Sequence, residues 1–379
     1  MKKEFAMTSR ERMRAAVAHK IPDRVPVDLN GRGSAIEEGA YNDLKNYLGI
    51  DADVPTVNFI RSHATISDEI LDMFNVDVRY VRSVPSESWR KEGGDEFFFD
   101  QWKVPWKKAS GSHYFDIDRF IFKDITEDDI DKLSWPELIT DCMIANIKKQ
   151  AKHLHETTDY SIYTDVLGSA IFESAWYLRG FEQFMIDMMV DEGFAAKFLR
   201  KVLDLQLDAY GKLLSETAQY IDGIFVTDDL ASQESLLMSN ELYKKMIQPY
   251  QRELIGFIHS KGVNVVYHSC GAISQMLPDL IEAGINILHP VQLSAKGMDP
   301  DILKREYGDK LTFWGGGCNS QKTLQFGSVQ EVKDEVKFRL ERLASGGGYV
   351  FAPEHCIQSG TPPRNIVAMF ETVKEFGVY

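Results

Sequence analysis

The chain has 379 residues, of which 44% are hydrophobic and 26% charged, and a formal net charge of −14. That length buries a large core without covalent staples, and that charge argues against a general nucleic-acid or anionic-membrane partner, because phosphate binding needs a basic face. No run approaches 18 apolar residues, the opening MKKEFAMTSRERM has no apolar signal core, and four cysteines are scattered along the chain. The expectation is therefore a cytoplasmic protein with no membrane span, whose thiols are core residues, metal ligands or reactive groups rather than disulfides.

Thr8-Ser9-Arg10-Glu11 fits a capping box and predicts a helix with Met13, Ala16 and Val17 on one apolar face, ended by Ile21-Pro22-Asp23. VPVDLN (25–30) predicts a short strand, followed by the glycine-rich turn GRGS with Arg32. Apolar runs then recur: TVNFIR (56–61) or VDVRYV (76–81), YSIYTDVLG (160–168), DGIFVTDD (222–229), NVVYHSCG (264–271), INILHPVQ (285–292), LTFWGGGC (311–318) and GYVFAPEHC (348–356). Helical stretches are predicted at 182–218, 239–260, 273–283, 299–306, 328–344 and 363–376, the last opened by Thr361-Pro362-Pro363 as N-cap and first turn.

Alternating strands and helices imply a parallel sheet with right-handed crossovers. Counting VPVDLN and one of the two early runs gives eight strands. Eight βα units close into a TIM-type (β/α)8 barrel, with an open doubly wound sheet as the alternative. The expectation is one α/β domain over residues 1–379. Residues 95–122 break the rhythm with alternating aromatic and polar residues and the turn ASGS. They predict an inserted β-hairpin or meander that covers one barrel end, or serves as a lid or partner surface with Trp102 and Trp106 exposed.

In a barrel the active site lies at the carboxyl ends of the strands. Those ends here carry Asp228 and Asp229, then His268 and Cys270, His289, Cys318, and Glu354-His355-Cys356. Side chains alternate along a strand, so His268 and Cys270 share one face. Imidazole and thiolate together suit zinc. A lone H-x-C is more often a buried histidine beside a core cysteine, but the second His/Cys pair, at another strand end, shifts the balance to metal. A third ligand would come from His355 or Cys356, leaving a fourth position open for substrate. Asp228 and Asp229 can take a proton, orient a ligand or cap a helix, and Asp229 is the candidate acid–base group. Arg32 is a candidate anion clamp. Asp228, His289, Gln292 and Cys318 are candidate pocket residues, Cys318 also as a spare ligand.

The stretches TSRERMRAAVAHKIPDRVPVDL, DQWKVPWKK, YLRGFEQFMIDMM, GIFVTDDLASQ, YHSCGAI and GGGYVFAPEHCIQSGTPPRNI resemble the uroporphyrinogen decarboxylase-like superfamily from end to end. The resemblance is greater to its cobalamin-dependent methyltransferase branch, zinc enzymes of methanol, methylamine and methoxyaryl metabolism. It implies a TIM barrel in which His268 and Cys270 match the first two zinc ligands. It places His355 where methyltransferase relatives carry a ligand cysteine, with Cys356 one place on and Glu354 beside them. The activity implied is zinc-dependent methyl transfer between a corrinoid on a separate protein and a small methylated donor or a thiol, O-demethylation among the cases. Self-association is left open. The decarboxylases need an N-terminal arginine cluster for a polycarboxylate substrate, and here Arg32 stands alone. A barrel that binds a corrinoid protein or a small molecule without turnover is the other alternative.

Overall fold

The computed structural model describes residues 6–51, 56–58, 63–83, 89–92, 95–109 and 115–379. Two short strands, β1 (Thr56–Asn58) and β2 (His63–Ala64), pair antiparallel. Of the two early runs it is therefore VDVRYV that joins the main sheet, as β3 (Val78–Tyr80); residues 59–61 of TVNFIR lie outside the described set. A four-stranded antiparallel sheet follows: β4 (Trp89–Glu92), β5 (Asp95–Phe99), β6 (Pro105–Lys108) and β7 (Asp116–Ile117). The remaining strands are β8 (Ser161–Ser169), β9 (Gly223–Thr227), β10 (Asn264–His268), β11 (Ile287–His289), β12 (Thr312–Trp314) and β13 (Tyr349–Val350).

The main sheet has seven parallel strands in the order β13-β12-β11-β10-β9-β8-β3. Helices lie between successive strands and force parallel pairing, because a tight turn joins only antiparallel neighbours. The sheet is curled, TIM-barrel-like. The predicted strand VPVDLN meets both of its edges: Asp28 N donates to Phe351 O at 2.8 Å, Phe351 N to Pro26 O at 2.8 Å, and Asp77 N to Val27 O at 2.8 Å.

Inside the curl, Val78, Tyr163, Phe225, Val266, Ile287, Trp314 and Val350 form one apolar cluster. Met13 and Ala16 of the helix Ser9–Val17 close its lower end. That helix starts as the sequence predicts: Thr8 Oγ1 accepts from Glu11 N at 3.2 Å, and the Glu11 carboxylate accepts from Thr8 N at 2.9 Å. The outer core packs the other face of each strand against the helices.

Three local expectations are corrected. The predicted helix 182–218 is two helices, Phe181–Val190 and Glu192–Thr217, because Asp191 leaves helical geometry and caps the second by accepting from Phe194 N at 3.2 Å. The last helix, Pro363–Phe376, takes Pro362 as its N-cap, while the Thr361 hydroxyl donates to Gln358 O. Trp102 and Trp106 are buried, at 1% and 6% exposure, so they pack into the core rather than form open surface.

Asp28 stands inside the curl. It is fully buried and accepts from Ser34 Oγ at 2.8 Å, Trp314 Nε1 at 2.9 Å and Tyr80 OH at 3.1 Å. Burial nevertheless pushes its carboxyl up to about 6. A raised folded-state pKa contributes stability that is complete below the unfolded value and is lost as pH rises through the folded one. Asp100 and Asp228 are raised to about 6 by the same cause. Unfolding free energy is expected to fall, on the order of 1–3 kcal/mol for each such group, between about pH 4 and 6. Asp28→Asn removes part of that slope; urea unfolding at a series of pH values checks it, and an unchanged slope contradicts it.

Candidate active site

Parallel register builds the site. His268 at the end of β10 pairs with Thr227 of β9 on one side and His289 of β11 on the other. Two residues earlier on the same strands come Val266, Phe225 and Ile287 of the interior cluster. The period of two makes Thr227, His268 and His289 the next inward layer above that apolar floor.

His268 Nε2 lies 3.2 Å from Cys270 Sγ and 3.7 Å from Asp229 Oδ1. The ligand atoms of all three residues fall within 4.8 Å of one another. Atoms held about 2.0–2.3 Å from one zinc at tetrahedral angles stand roughly 3.3–3.6 Å apart. The S, N and O donors here span that spacing, so the residues present fit zinc. Among the described residues no other group of this kind occurs.

The surroundings hold these donors in place. Cys270 N donates to Asp229 Oδ1 at 2.8 Å, and Gly271 N donates to Gln292 Oε1 at 2.8 Å. Gly271 has φ +92, and a Cβ there would meet Ser232 O at 2.3 Å, so the loop that turns Cys270 inward needs glycine. His268 Nδ1 lies 2.8 Å from His289 Nδ1. Burial holds His289 well below the usual histidine range, and therefore neutral. With Nε2 among the donor atoms, Nδ1 is the ring nitrogen left to fix the His268 orientation, and a neutral His289 Nδ1 can accept its proton in a hydrogen bond. Gly33 closes over the pair: a Cβ there would come within 2.5 Å of His289 Cε1 and 2.7 Å of His268 Nδ1.

A cavity of about 550 Å³ opens beside the donors. Arg32, Asp229, His268, Thr227 and Glu173 supply its polar lining, with Asp116 from β7. Trp106, Phe115, Phe120, Trp176 and Tyr177 supply aromatic wall. Glu173 is absent from the sequence-derived candidates. It lies on the helix Ile171–Arg179, 4% exposed, and accepts from Thr227 Oγ1 at 2.5 Å and Tyr177 OH at 3.2 Å. Burial, with the charge of Asp229 second, pushes its carboxyl above the ordinary range. Its signal in the sequence is the spacing Glu173, Trp176, Tyr177, which puts an acid and two rings on one helical face.

The other candidates divide. Asp228 points away from the cavity and accepts from Phe172 N at 3.2 Å, Glu173 N at 2.7 Å and Gln251 Nε2 at 2.6 Å, so it anchors the helix that carries Glu173. His355 stands further from the donor group, its ring centroid 6.4 Å from that of His268, and its backbone N donates to Ser320 Oγ. Cys356 Sγ faces Arg32 O at 3.5 Å. Asp229 thus joins His355 and Cys356 as a candidate for the third ligand position beside His268 and Cys270. Cys318 is fully buried, 3.7 Å from Glu335 Oε2, and burial pushes its thiol up. Glu354 accepts from Ser294 N.

Residues 120–376 match the uroporphyrinogen decarboxylase (URO-D) family. The methylcobamide:CoM methyltransferase MtbA of Methanosarcina mazei is 23% identical over 256 residues, 66% of this chain and 68% of that protein. The uroporphyrinogen decarboxylase of Solibacter usitatus is 27% identical over 142 residues, 37% of this chain and 38% of that protein. A methyltransferase from Methanosarcina mazei of known structure superposes with a TM-score of 0.66 at 16% identity, covering 98% of this chain and 99% of that one. That likeness is one of fold.

Gly33→Ala is expected to push the His268–His289 pair apart and, where the donor group holds zinc, to weaken that binding by about 10–100-fold, the range for disturbing a ligand's support. Competition titration with a chromophoric chelator measures it. Unchanged affinity would show that the pair does not hold the metal.

Proposed function

The chain belongs to the uroporphyrinogen decarboxylase family, and from that premise we propose that it is a zinc-dependent methyltransferase acting between a corrinoid protein and a small methylated donor or thiol. One observation carries this proposal: a sulfur, a nitrogen and an oxygen donor converge beside the cavity, on Cys270, His268 and Asp229, the last two in its wall. A decarboxylase that uses no metal has no need of such a set. The similarity to MtbA, a methylcobamide:CoM methyltransferase, supports the corrinoid partner.

His268, Cys270 and Asp229 would hold the zinc, with His355 beside them. When bound, it supplies Lewis acidity, keeping a thiol ionised or drawing charge off a leaving oxygen or nitrogen. The chain's own groups do the rest. His289 fixes the His268 ring through the Nδ1–Nδ1 contact. The aromatic wall keeps water from the reacting methyl group. The buried Glu173 carboxyl can hand a proton to a leaving atom or take one back. Arg32 gives the cavity one fixed positive charge among its lining residues. That single cation also weighs against a polycarboxylate substrate, and so against decarboxylation.

Purified protein is expected to contain close to one zinc per chain. His268→Ala and Cys270→Ala are each expected to remove the metal and abolish methyl transfer to cob(I)alamin, followed in the cobalt absorption spectrum. Metal-free protein with full activity would end the proposal. Binding of a corrinoid partner, with no spectral change for any donor, would leave only a binding module.

A further inference from the structure

We propose that Arg32 selects the ligand of the cavity: an arene that bears one carboxylate, so that the methylated donor is a methoxyarene carboxylic acid. The inference names the donor for the methyl-transfer proposal and rests on it for the reaction, though not for the binding.

The guanidinium comes first. Arg32 is half-buried in the cavity wall. Its head lies over Gly168 of β8, where a Cβ would collide with Nη1 and Cζ and come within 2.9 Å of Nη2. Gly168 has φ +69 and follows an irregularity in the β8–β9 register, so the strand itself makes room for the guanidinium. The acids nearby are held by other groups. Asp165 pairs with Arg82 at 2.6 Å. Asp100 accepts from Trp102 N, Val104 N and Trp106 Nε1, each at 2.9 Å. Glu173 accepts from Thr227 and Tyr177. Among the described residues no group accepts a hydrogen bond from the Arg32 guanidinium and no ion pair holds it. A cation left without a partner in a partly apolar wall is costly, and an anion that joins it removes that cost. The planar fork suits a carboxylate, which it meets with two parallel hydrogen bonds.

The rest of the lining does not oppose an anion. Asp229 stands with His268 and Cys270 in the donor group. Asp116 lies opposite Lys107 across the β6–β7 pair, where unlike charges offset each other. Burial, with the charge of Asp229 second, pushes the Glu173 carboxyl up, so it faces Arg32 as less than a full negative charge. One cation is left for one carboxylate.

The rings come next. Trp106, Phe115, Phe120, Trp176 and Tyr177 line the same space. Tyr177 meets Trp106 and Trp176 edge to face, with centroids 5.2 and 4.3 Å apart. Such a cluster presents both faces and edges, and an aryl ligand can stack on the first and abut the second. The volume of about 550 Å³ lies within the range of about 300–1,000 Å³ that takes ligands of this kind. A short anionic thiol would reach Arg32 but leave the rings uncovered.

Strand order supplies the placement. Ser169, next to Gly168, pairs with Thr227 on β9, and Thr227 pairs with His268 on β10. The guanidinium and the donor group therefore stand two strands apart, roughly 10 Å at about 4.8 Å per strand. A ring with its carboxylate at Arg32 can turn a methoxy group toward the donors. The ether oxygen keeps lone pairs to offer a Lewis acid, as the methyl-transfer proposal requires.

The chemistry balances. The methyl–oxygen bond breaks and its electron pair stays on oxygen as a phenoxide. Both electrons of the new carbon–cobalt bond come from a reduced cobalt(I) corrinoid. The phenoxide takes the Glu173 proton and leaves as a phenol, and water restores the carboxyl.

The test is isothermal calorimetry on the intact protein with 2-, 3- and 4-methoxybenzoate, each against the corresponding methoxybenzamide, its neutral near-isostere. At least one acid is expected to bind about tenfold or more tighter than its amide, the worth of charge-assisted hydrogen bonds. No such preference in any isomer would overturn the inference. Arg32→Gln is expected to erase the preference and leave the amide bound as before, which also shows that the variant folds. Arg32→Lys, which keeps the charge and loses the fork, is expected to restore part of it. An equal loss for acid and amide in both variants counts against a carboxylate clamp. Tighter binding of 2-mercaptoethanesulfonate than of every methoxybenzoate would overturn the arene. Methyl transfer to cob(I)alamin separates the two proposals. Transfer from methanol or methylamine, with none from a methoxybenzoate, keeps the methyltransferase and sinks this inference. Acid-selective binding that Arg32→Gln erases, with no transfer from any donor, does the reverse.

Discussion

The parallel register of β9, β10 and β11 is the constraint on which the site depends. It places Phe225, Val266 and Ile287 in one inward layer and Thr227, His268 and His289 in the next. The lower layer is packed solid with apolar side chains. The upper layer therefore cannot sink, and its polar atoms must find partners among themselves or at the cavity. A one-residue slip of β10 would turn His268 outward to the helices and bring Tyr267 in, so the register carries the chemistry as well as the packing.

Around this layer the buried polar groups are arranged to hold positions rather than to react. Asp228 ties the first turn of the helix Ile171–Arg179, Gln292 holds the backbone at Gly271, and His289 backs His268. Asp228 and His289 thereby leave Glu173 and His268 facing the cavity. Two glycines make this possible: Gly33 clears the imidazole pair, and Gly271 lets the chain pass the Ser232 carbonyl. The antiparallel sheet adds Trp106, Asp116 and Ile117 to the wall, so a segment that interrupts the strand–helix rhythm is part of the site.

Much of this was legible in the chain. The alternation of apolar runs with helical stretches marked the parallel sheet, and the Thr8 capping box marked the first helix. His268 and Cys270, two apart at a strand end, stood out by side-chain period alone. What misled was local in kind. Asp191 sits inside an otherwise continuous helical pattern, and only its cap geometry shows the break. Trp102 and Trp106 alternate with polar residues as an exposed strand would, yet the sheet folds them inward. Glu173 lay in a stretch read for neither helix nor function, because an acid among aromatics does not announce which side of a helix meets a cavity.

Sequence by itself determined the main parallel-strand runs, most of the helices between them and the spacing of His268 and Cys270, because cap chemistry and the two periodicities act over a few residues. Tertiary structure decided which residues stand near that pair. Asp229, His268 and Cys270 come from adjacent strand ends, and Glu173 from the helix after β8. The distance of His355 and the turning of Cys356 toward Arg32 depend on how the loop after β13 packs against β12 and the Arg32 turn. Such convergence is set by the curl of the sheet and the direction of each loop, which no local pattern encodes.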